Sequence, residues 1–161
     1  MNLGEMLAET VKKYPDKTAI ALGERRLSYT ELDIASNKVA HTLLQMGLRQ
    51  GDRVALLLTN TPEFAAIYFG IVKIGAIAVP LDTRYTVSQV TSLLANSQPR
   101  VLAADSSSIE PLIPVLSQFK TIERVIDASS KFTGQFLTYE EIMASGSAQP
   151  VTVAVKPEAT A

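Results

Sequence analysis

Cysteine and tryptophan are absent from the 161 residues, and histidine occurs once, at His41. Without cysteine there is no disulfide framework, no thiolate nucleophile and no Cys-ligated zinc site. A single histidine rules out a His–His metal pair. Charge of one sign is also lacking: 15 Lys and Arg against 16 Asp and Glu leave a net charge of −1. The basic residues are scattered, so nothing resembles the electropositive footprint that binds nucleic acid or anionic lipid. The start, Met1 to Leu7, has no basic segment followed by an apolar run, and Glu5 and Glu9 fit a soluble first helix, which excludes a signal peptide and favours the cytoplasm. The longest apolar stretch, 64–81, is broken by Gly70, Lys73, Gly75 and Pro80. It reads as a helix followed by a buried strand, and no transmembrane segment is expected.

What is present is ordinary for a globular chain: 47% apolar and 19% charged residues, in a length suited to one domain that buries about 70% of the surface its unfolded form exposes. Apolar residues at 3, 6, 7 and 11 predict a helix over 3–13, ended by Tyr14-Pro15-Asp16. Thr18 to Leu22 and Arg25 to Tyr29 flank Gly23-Glu24, a two-residue turn, and predict a small hairpin. The next helix is expected to be capped by Thr30 with Asp33 in the reciprocal position. Leu32, Ala35, Ser36, Val39, Ala40 and Leu43 line its inner face until Gly47.

Val54 to Leu58 has no alternation, as in a strand covered on both faces. Thr61-Pro62-Glu63 follows, with an N-cap, a proline at the first helical position and an acid for the dipole. Ile77 to Leu81 predicts a second buried strand, Thr86-Val87-Ser88-Gln89 a capping box, and Arg100 to Ala104 a third strand after Pro99. Ile109 to Phe119 reads as a helix weakened by Pro114, Glu123 to Asp127 as a strand, and Thr138 to Glu141 as the start of a short helix ended by Gly146. Strands alternating with helices imply parallel pairing through right-handed crossovers, hence an α/β fold with a three-layer, doubly wound, mostly parallel sheet. Residues 1–147 are expected to form this unit and 148–161 a linker or tail.

Few residues invite chemistry. His41 lies opposite Leu32 at about 100° per residue and reads as a solvated surface group. Glu140/Glu141 and Glu31/Asp33 do not face each other on a helix and read as capping residues. Ser106-Ser107-Ser108 lacks the glycine that would let a phosphate approach the backbone and reads as a capping loop. Phe64, Tyr68 and Phe69 read as core. Gly70 and Gly75 stand out, because glycine within a helix costs about 1 kcal/mol against alanine; Gly75 has an evident use as the helix exit, whereas Gly70 invites a packing reason such as close helix–sheet approach. Asp82-Thr83-Arg84-Tyr85-Thr86 follows a strand's carboxyl end and precedes a helix, where open α/β sheets bind ligands. Arg84 is suited to a phosphate and Tyr85 to stacking. The alternative is a plain loop in which Asp82 caps nearby amides.

Leu27-Ser28-Tyr29-Thr30-Glu31-Leu32 and Lys73-Ile74-Gly75-Ala76-Ile77-Ala78-Val79-Pro80-Leu81-Asp82, in this order and spacing, resemble the opening motifs of the adenylate-forming (AMP-binding) superfamily. Gly51 to Ala55, Asn60 to Glu63, Arg84 to Thr86 and Val101 to Asp105 extend the likeness, which is nearest to an acyl-CoA synthetase or fatty-acid–CoA ligase. The resemblance implies a parent enzyme that joins a carboxylate to AMP using ATP and Mg and passes the acyl group to the thiol of CoA. It implies that this chain is the N-terminal piece. The family's phosphate loop, adenine-binding segments, ribose-binding Asp and swinging-domain Lys are not among these 161 residues, so no catalytic residue and no bound cofactor is expected of the chain itself. Thr83, Arg84 and Tyr85 align with a region that approaches CoA or the acyl channel in some relatives. Where some relatives carry arginines, this sequence has Ser106-Ser107-Ser108. The expected partners are the remainder of the parent and, through an exposed sheet edge at Val151 to Val155, a second copy. A second class remains open: a non-catalytic module that assembles with a separate catalytic partner.

Overall fold

The computed structural model describes residues 2–151 and 153–155. Helix α1 (Leu3–Lys13) leads into an antiparallel hairpin of β1 (Thr18–Leu22) and β2 (Arg25–Ser28). There follow α2 (Tyr29–Gln45), β3 (Arg53–Leu57), α3 (Pro62–Lys73), β4 (Ile77–Pro80), α4 (Val87–Ser97), β5 (Val101–Ala104), α5 (Ser106–Ile109), β6 (Arg124–Asp127), β7 (Leu137–Thr138) and α6 (Tyr139–Ser145). The second sheet is parallel, in the order β4-β3-β5-β6-β7.

The central strands read as unbroken apolar runs because both of their faces are covered. Val54 and Leu56 of β3 face a core shared with Val39, Leu43, Ile67, Ile71 and Ile142, whereas Ala55 and Leu57 face Val90, Leu94, Ile109 and Leu112. Helices α2, α3 and α6 therefore lie on one side, and α4, α5 and a 3-10 stretch on the other. The doubly wound, three-layer α/β arrangement expected from the alternation is the one observed. A third cluster, Leu7, Leu32, Ala35 and Ala66, seats α1 and the hairpin on the helical layer.

Local signals explain most element ends. Thr61 accepts the Phe64 amide with Pro62 next in line, and the Thr86/Gln89 and Thr138/Glu141 boxes are both closed. Three expectations need correction. Ser28, not Thr30, caps α2: its hydroxyl accepts the Glu31 amide at 3.2 Å and Glu31 Oε2 accepts the Ser28 amide at 2.8 Å. Glutamate has the reach for this reciprocal bond that aspartate lacks, and Thr30 Oγ1 bonds Pro15 O at 3.0 Å instead. The helix expected over 109–119 is α-helical only as far as Ile109 and then 3-10 over Glu110–Gln118, since Pro111 and Pro114 remove amide donors. Ser106 to Ser108 lie inside α5; Asp105 holds the cap position.

Gly70 has its reason in helix–helix packing rather than in approach to the sheet. A Cβ there would stand 2.6 Å from Val39 Cγ1 of α2 and 3.1 Å from the Ser36 carbonyl oxygen. At the amino ends of the strands, Arg100 binds Asp52 through Nη1 at 2.6 Å and Glu123 through Nη2 at 2.8 Å. Its backbone bonds Arg53 O and Glu123 N, both at 2.8 Å. One side chain thereby ties the starts of β3, β5 and β6.

Residues after Gly146 do not leave the body at once. Asn37 Nδ2 donates to Ala148 O at 3.2 Å, His41 Nε2 lies 3.0 Å from Gln149 O, and Asn2 Nδ2 donates to Val155 O at 3.3 Å. His41 is thus half-buried against this segment and not a solvated group. Of the stretch expected to offer a pairing edge, Thr152 is outside the described residues, and Val151, Val153, Ala154 and Val155 belong to no strand.

Candidate ligand crevice at the sheet's carboxyl edge

The chain reverses its direction of winding between β3 and β5: β3 continues through α3 to β4 on one side, and β5 continues to β6 on the other. The carboxyl ends of two such strands diverge and leave a crevice, the usual ligand position in open α/β sheets. Its floor is polar. Asp105, just past β5, accepts the Thr59 amide through Oδ2 at 2.8 Å and thereby joins the loop after β3 to the loop after β5.

Two hollows open on either side of this bridge and share Thr59, Asp105 and Ser107. One, of about 260 Å³, has Leu57, Val90 and Leu112 beneath it and Thr83, Tyr85 and Ser108 at its rim. The other, of about 460 Å³, is bounded by Arg25, Thr61, Glu63, Ser129, Ser130 and Tyr139. The first combines an apolar base with a few hydroxyls, which suits a slender amphipathic group; the second is almost wholly polar.

The structure brings Thr83 and Tyr85 to the smaller hollow, where Tyr85 is 43% exposed. Arg84 stands apart from its lining. Its side chain, 88% exposed, forks onto the Asp82 carboxylate, with Nη2 to Oδ2 at 2.6 Å and Nε to Oδ1 at 3.0 Å. The guanidinium, and then the Arg84 amide at 2.9 Å, hold the Asp82 carboxyl down at about 2. Asp82 capping its own loop is therefore fact, and an anion reaching Arg84 has to compete with that carboxylate.

Around the larger hollow, Arg25 of β2 pairs with Glu63 of α3 at 2.6 Å. Burial pushes the Tyr139 phenol up to about 12, with Glu63 adding to the shift, so Tyr139 is a neutral donor at physiological pH. Below the rim, Asp127 is fully buried; its Oδ1 accepts Ser106 Oγ at 2.6 Å and the Ser129 amide at 3.0 Å, and its Oδ2 accepts the Lys131 and Phe132 amides, each at 2.8 Å. Burial raises this carboxyl's pKa, but the Ser106 hydroxyl and the three amides outweigh it and hold the group below the ordinary aspartate range. Asp127 shapes the 128–132 turn, one wall of the crevice.

Sequence reasoning missed Thr59, Asp105, Ser107 and the Arg25–Glu63–Tyr139 group. The only available signal was position, since each polar residue stands immediately after an apolar strand or at a helix start. Glu31 and Glu141 are capping residues, as expected, but Asp33 is not: its Oδ1 receives Lys73 Nζ at 2.6 Å. Among the described residues no three His, Cys, Asp or Glu side chains are grouped to hold a metal ion, and no helix is long and apolar enough to cross a membrane.

Comparison with known proteins agrees with this architecture. The family described as AMP-binding enzyme matches residues 7–161. A crotonobetaine/carnitine–CoA ligase of Salmonella paratyphi A is 38% identical over 110 residues, 65% of this chain and 21% of the relative. One from Salmonella enteritidis PT4 is 40% identical over 106 residues, covering 63% and 20%. Among solved structures, a Mycobacterium tuberculosis fatty acyl CoA synthetase superposes with a TM-score of 0.86 at 27% identity, over 98% of this chain and 31% of its own. The anthranilate CoA ligase AuaEII in complex with anthranoyl-AMP gives 0.91 at 22% identity over 98% and 30%, a likeness of fold. The chain thus spans about a fifth of the curated relatives it matches and about 30% of these structures. By sequence and by fold, it belongs to the AMP-binding enzyme family.

Proposed function

We propose that the chain is the N-terminal part of an ATP-dependent acid–thiol ligase that converts a carboxylate, ATP and CoA to acyl-CoA, AMP and pyrophosphate through an acyl-adenylate. In this reading residues 1–147 are an α/β subdomain, and 148–161 lead on toward the phosphate-binding loop of the same enzyme. The observation that carries it is the 38% identity over 110 residues to a CoA ligase. Among the described residues the donor set does not fit Mg or the phosphates of ATP, for want of both a carboxylate cluster and a glycine-lined anion cradle. No step of adenylation is assigned to this chain, whose part is to build a wall of the substrate space. Purified as 161 residues, it is expected to give no carboxylate-dependent ATP–pyrophosphate exchange above a blank; exchange at a measurable rate overturns this division of labour.

The small hollow beside Thr83 and Tyr85 fits CoA or acyl-channel contact better, having an apolar base for a chain, while Arg84, next in sequence but outside the lining, meets a phosphate only by leaving Asp82. In the longer enzyme, Arg84→Ala should raise KM for CoA several-fold more than KM for ATP. Equal changes in both, or none, leave Thr83 to Tyr85 as a loop held by Asp82. Fatty-acid metabolism, cytoplasmic location and self-association through an exposed sheet edge belong to the same proposal. The non-catalytic module is the second reading, and pyrophosphate exchange restored only by a separately encoded chain is its signature.

A further inference from the structure

The second motif of the family resemblance opens on a buried charge, which meets the helix that continues from the first. Lys73 ends α3 with its side chain only 7% exposed, and its stem runs past Gly4 of α1, where a Cβ would stand 3.0 Å from Lys73 Cγ. Its Nζ donates to Asp33 Oδ1 and to Asn37 Oδ1 of α2, both at 2.6 Å. An ammonium group only donates, so Asn37 must turn its oxygen toward Lys73. Its amide nitrogen is left with two directions, and both are used: Asp33 Oδ2 at 3.2 Å and, across the surface, Ala148 O at 3.2 Å. Asn37 is 2% exposed and fully satisfied. Lys73 and Asp33 together hold the Asn37 amide with its nitrogen facing the segment that follows α6.

We infer that Lys73, Asp33 and Asn37 form a clamp that seats residues 148–151 and 153–155 on the face made by α1, α2 and α3, with Lys73 as the positioning residue. The segment has little else to hold it there. Among its described residues none is in a strand, Val151 alone packs against the main core, and a hollow of about 540 Å³ lies between it and Lys73. Polar anchors therefore decide its path: Asn37 at Ala148, His41 at Gln149 and Asn2 at Val155. Removing the Lys73 ammonium leaves Asn37 Oδ1 and Asp33 Oδ1 without the donor they share, so the side chain that donates to Ala148 O loses the contact that fixes its position.

The test is limited proteolysis with thermolysin, read by mass as cutting before Val151, Val153 or Val155, with cutting within β3, β5 and α2 as the internal reference. Lys73→Met is expected to speed cutting in this segment about tenfold, the scale of one lost hydrogen-bonded anchor, and to leave β3 and β5 intact. Asn37→Ala keeps the Lys73–Asp33 pair and removes the donor to Ala148 together with the Asn37 bonds to Lys73 and Asp33. It is expected to act on the same segment and decides the matter if Lys73→Met does not fold. Unchanged cutting of the segment in Asn37→Ala, or acceleration spread evenly over α2 and the strands in either variant, overturns the clamp and leaves Lys73 as a helix-packing residue.

Discussion

Replacing Asp127 with Ala is expected to lower the unfolding free energy by about 3 kcal/mol. Four donors converge on its carboxylate, and Ser106, 3% exposed, has no water to turn to when the acceptor is gone. Asp127→Asn should do almost as badly. One of its two positions becomes an NH2 group facing either the Lys131 and Phe132 amides or the Ser106 hydroxyl and Ser129 amide, and donor then meets donor. Urea unfolding measures it: the midpoint falls with the slope unchanged. A loss below about 1 kcal/mol would mean that the 128–132 turn is held by something other than this carboxylate. The sign of the pH dependence follows from the depressed native pKa. The contribution is present above the unfolded aspartate value of about 3.9 and is lost as pH falls through the lower native value, so acid removes it and alkali does not.

The second large effect reverses a general rule. Glycine to alanine inside a helix ordinarily gains about 1 kcal/mol, yet Gly70→Ala should destabilise by about 1–2 kcal/mol net. The new methyl would lie 2.7 Å from Val39 Cβ and 2.6 Å from Cγ1. Val39 is fully buried and, being β-branched, has no second rotamer to retreat into. Val39→Gly removes both the Cβ and the Cγ1 that the new methyl would meet, so the double variant should be at least about 1 kcal/mol more stable than the sum of the two losses. Additive losses in that cycle would show that α2 and α3 slide apart rather than clash.

Much of the fold was legible because its signals are local. The unbroken apolar runs of β3 and β5, the boxes at Thr86 and Thr138, and Pro62 after Thr61 each act within a few residues. The sheet class followed from their alternation. β7 was not legible, since two residues carry no period, and its pairing with β6 is set by the turn that Asp127 organises. The Thr30 misassignment came from two overlapping cap patterns that differ by one methylene in reach. The crevice was read only at its outer lip, Thr83 to Tyr85. Its floor, where Asp105 meets Thr59, joins residues 46 apart, a distance at which periodicity says nothing. The same holds for Lys73 and Asn37, 36 apart: Lys73 opens a recognisable motif, but nothing in that motif states that it touches a side chain of α2.

The Arg100 fork has a consequence for how such a sheet can change over evolutionary time. By fastening Asp52 and Glu123 where three strands begin, it fixes strand register at the edge farthest from the crevice. Insertions or deletions in the loops after β3, β4 and β5 then alter what the crevice accepts without asking the strands to re-pair. A lineage can vary what binds at one margin while the opposite margin keeps the alignment, a separation of variable and invariant duties within a single layer of five strands.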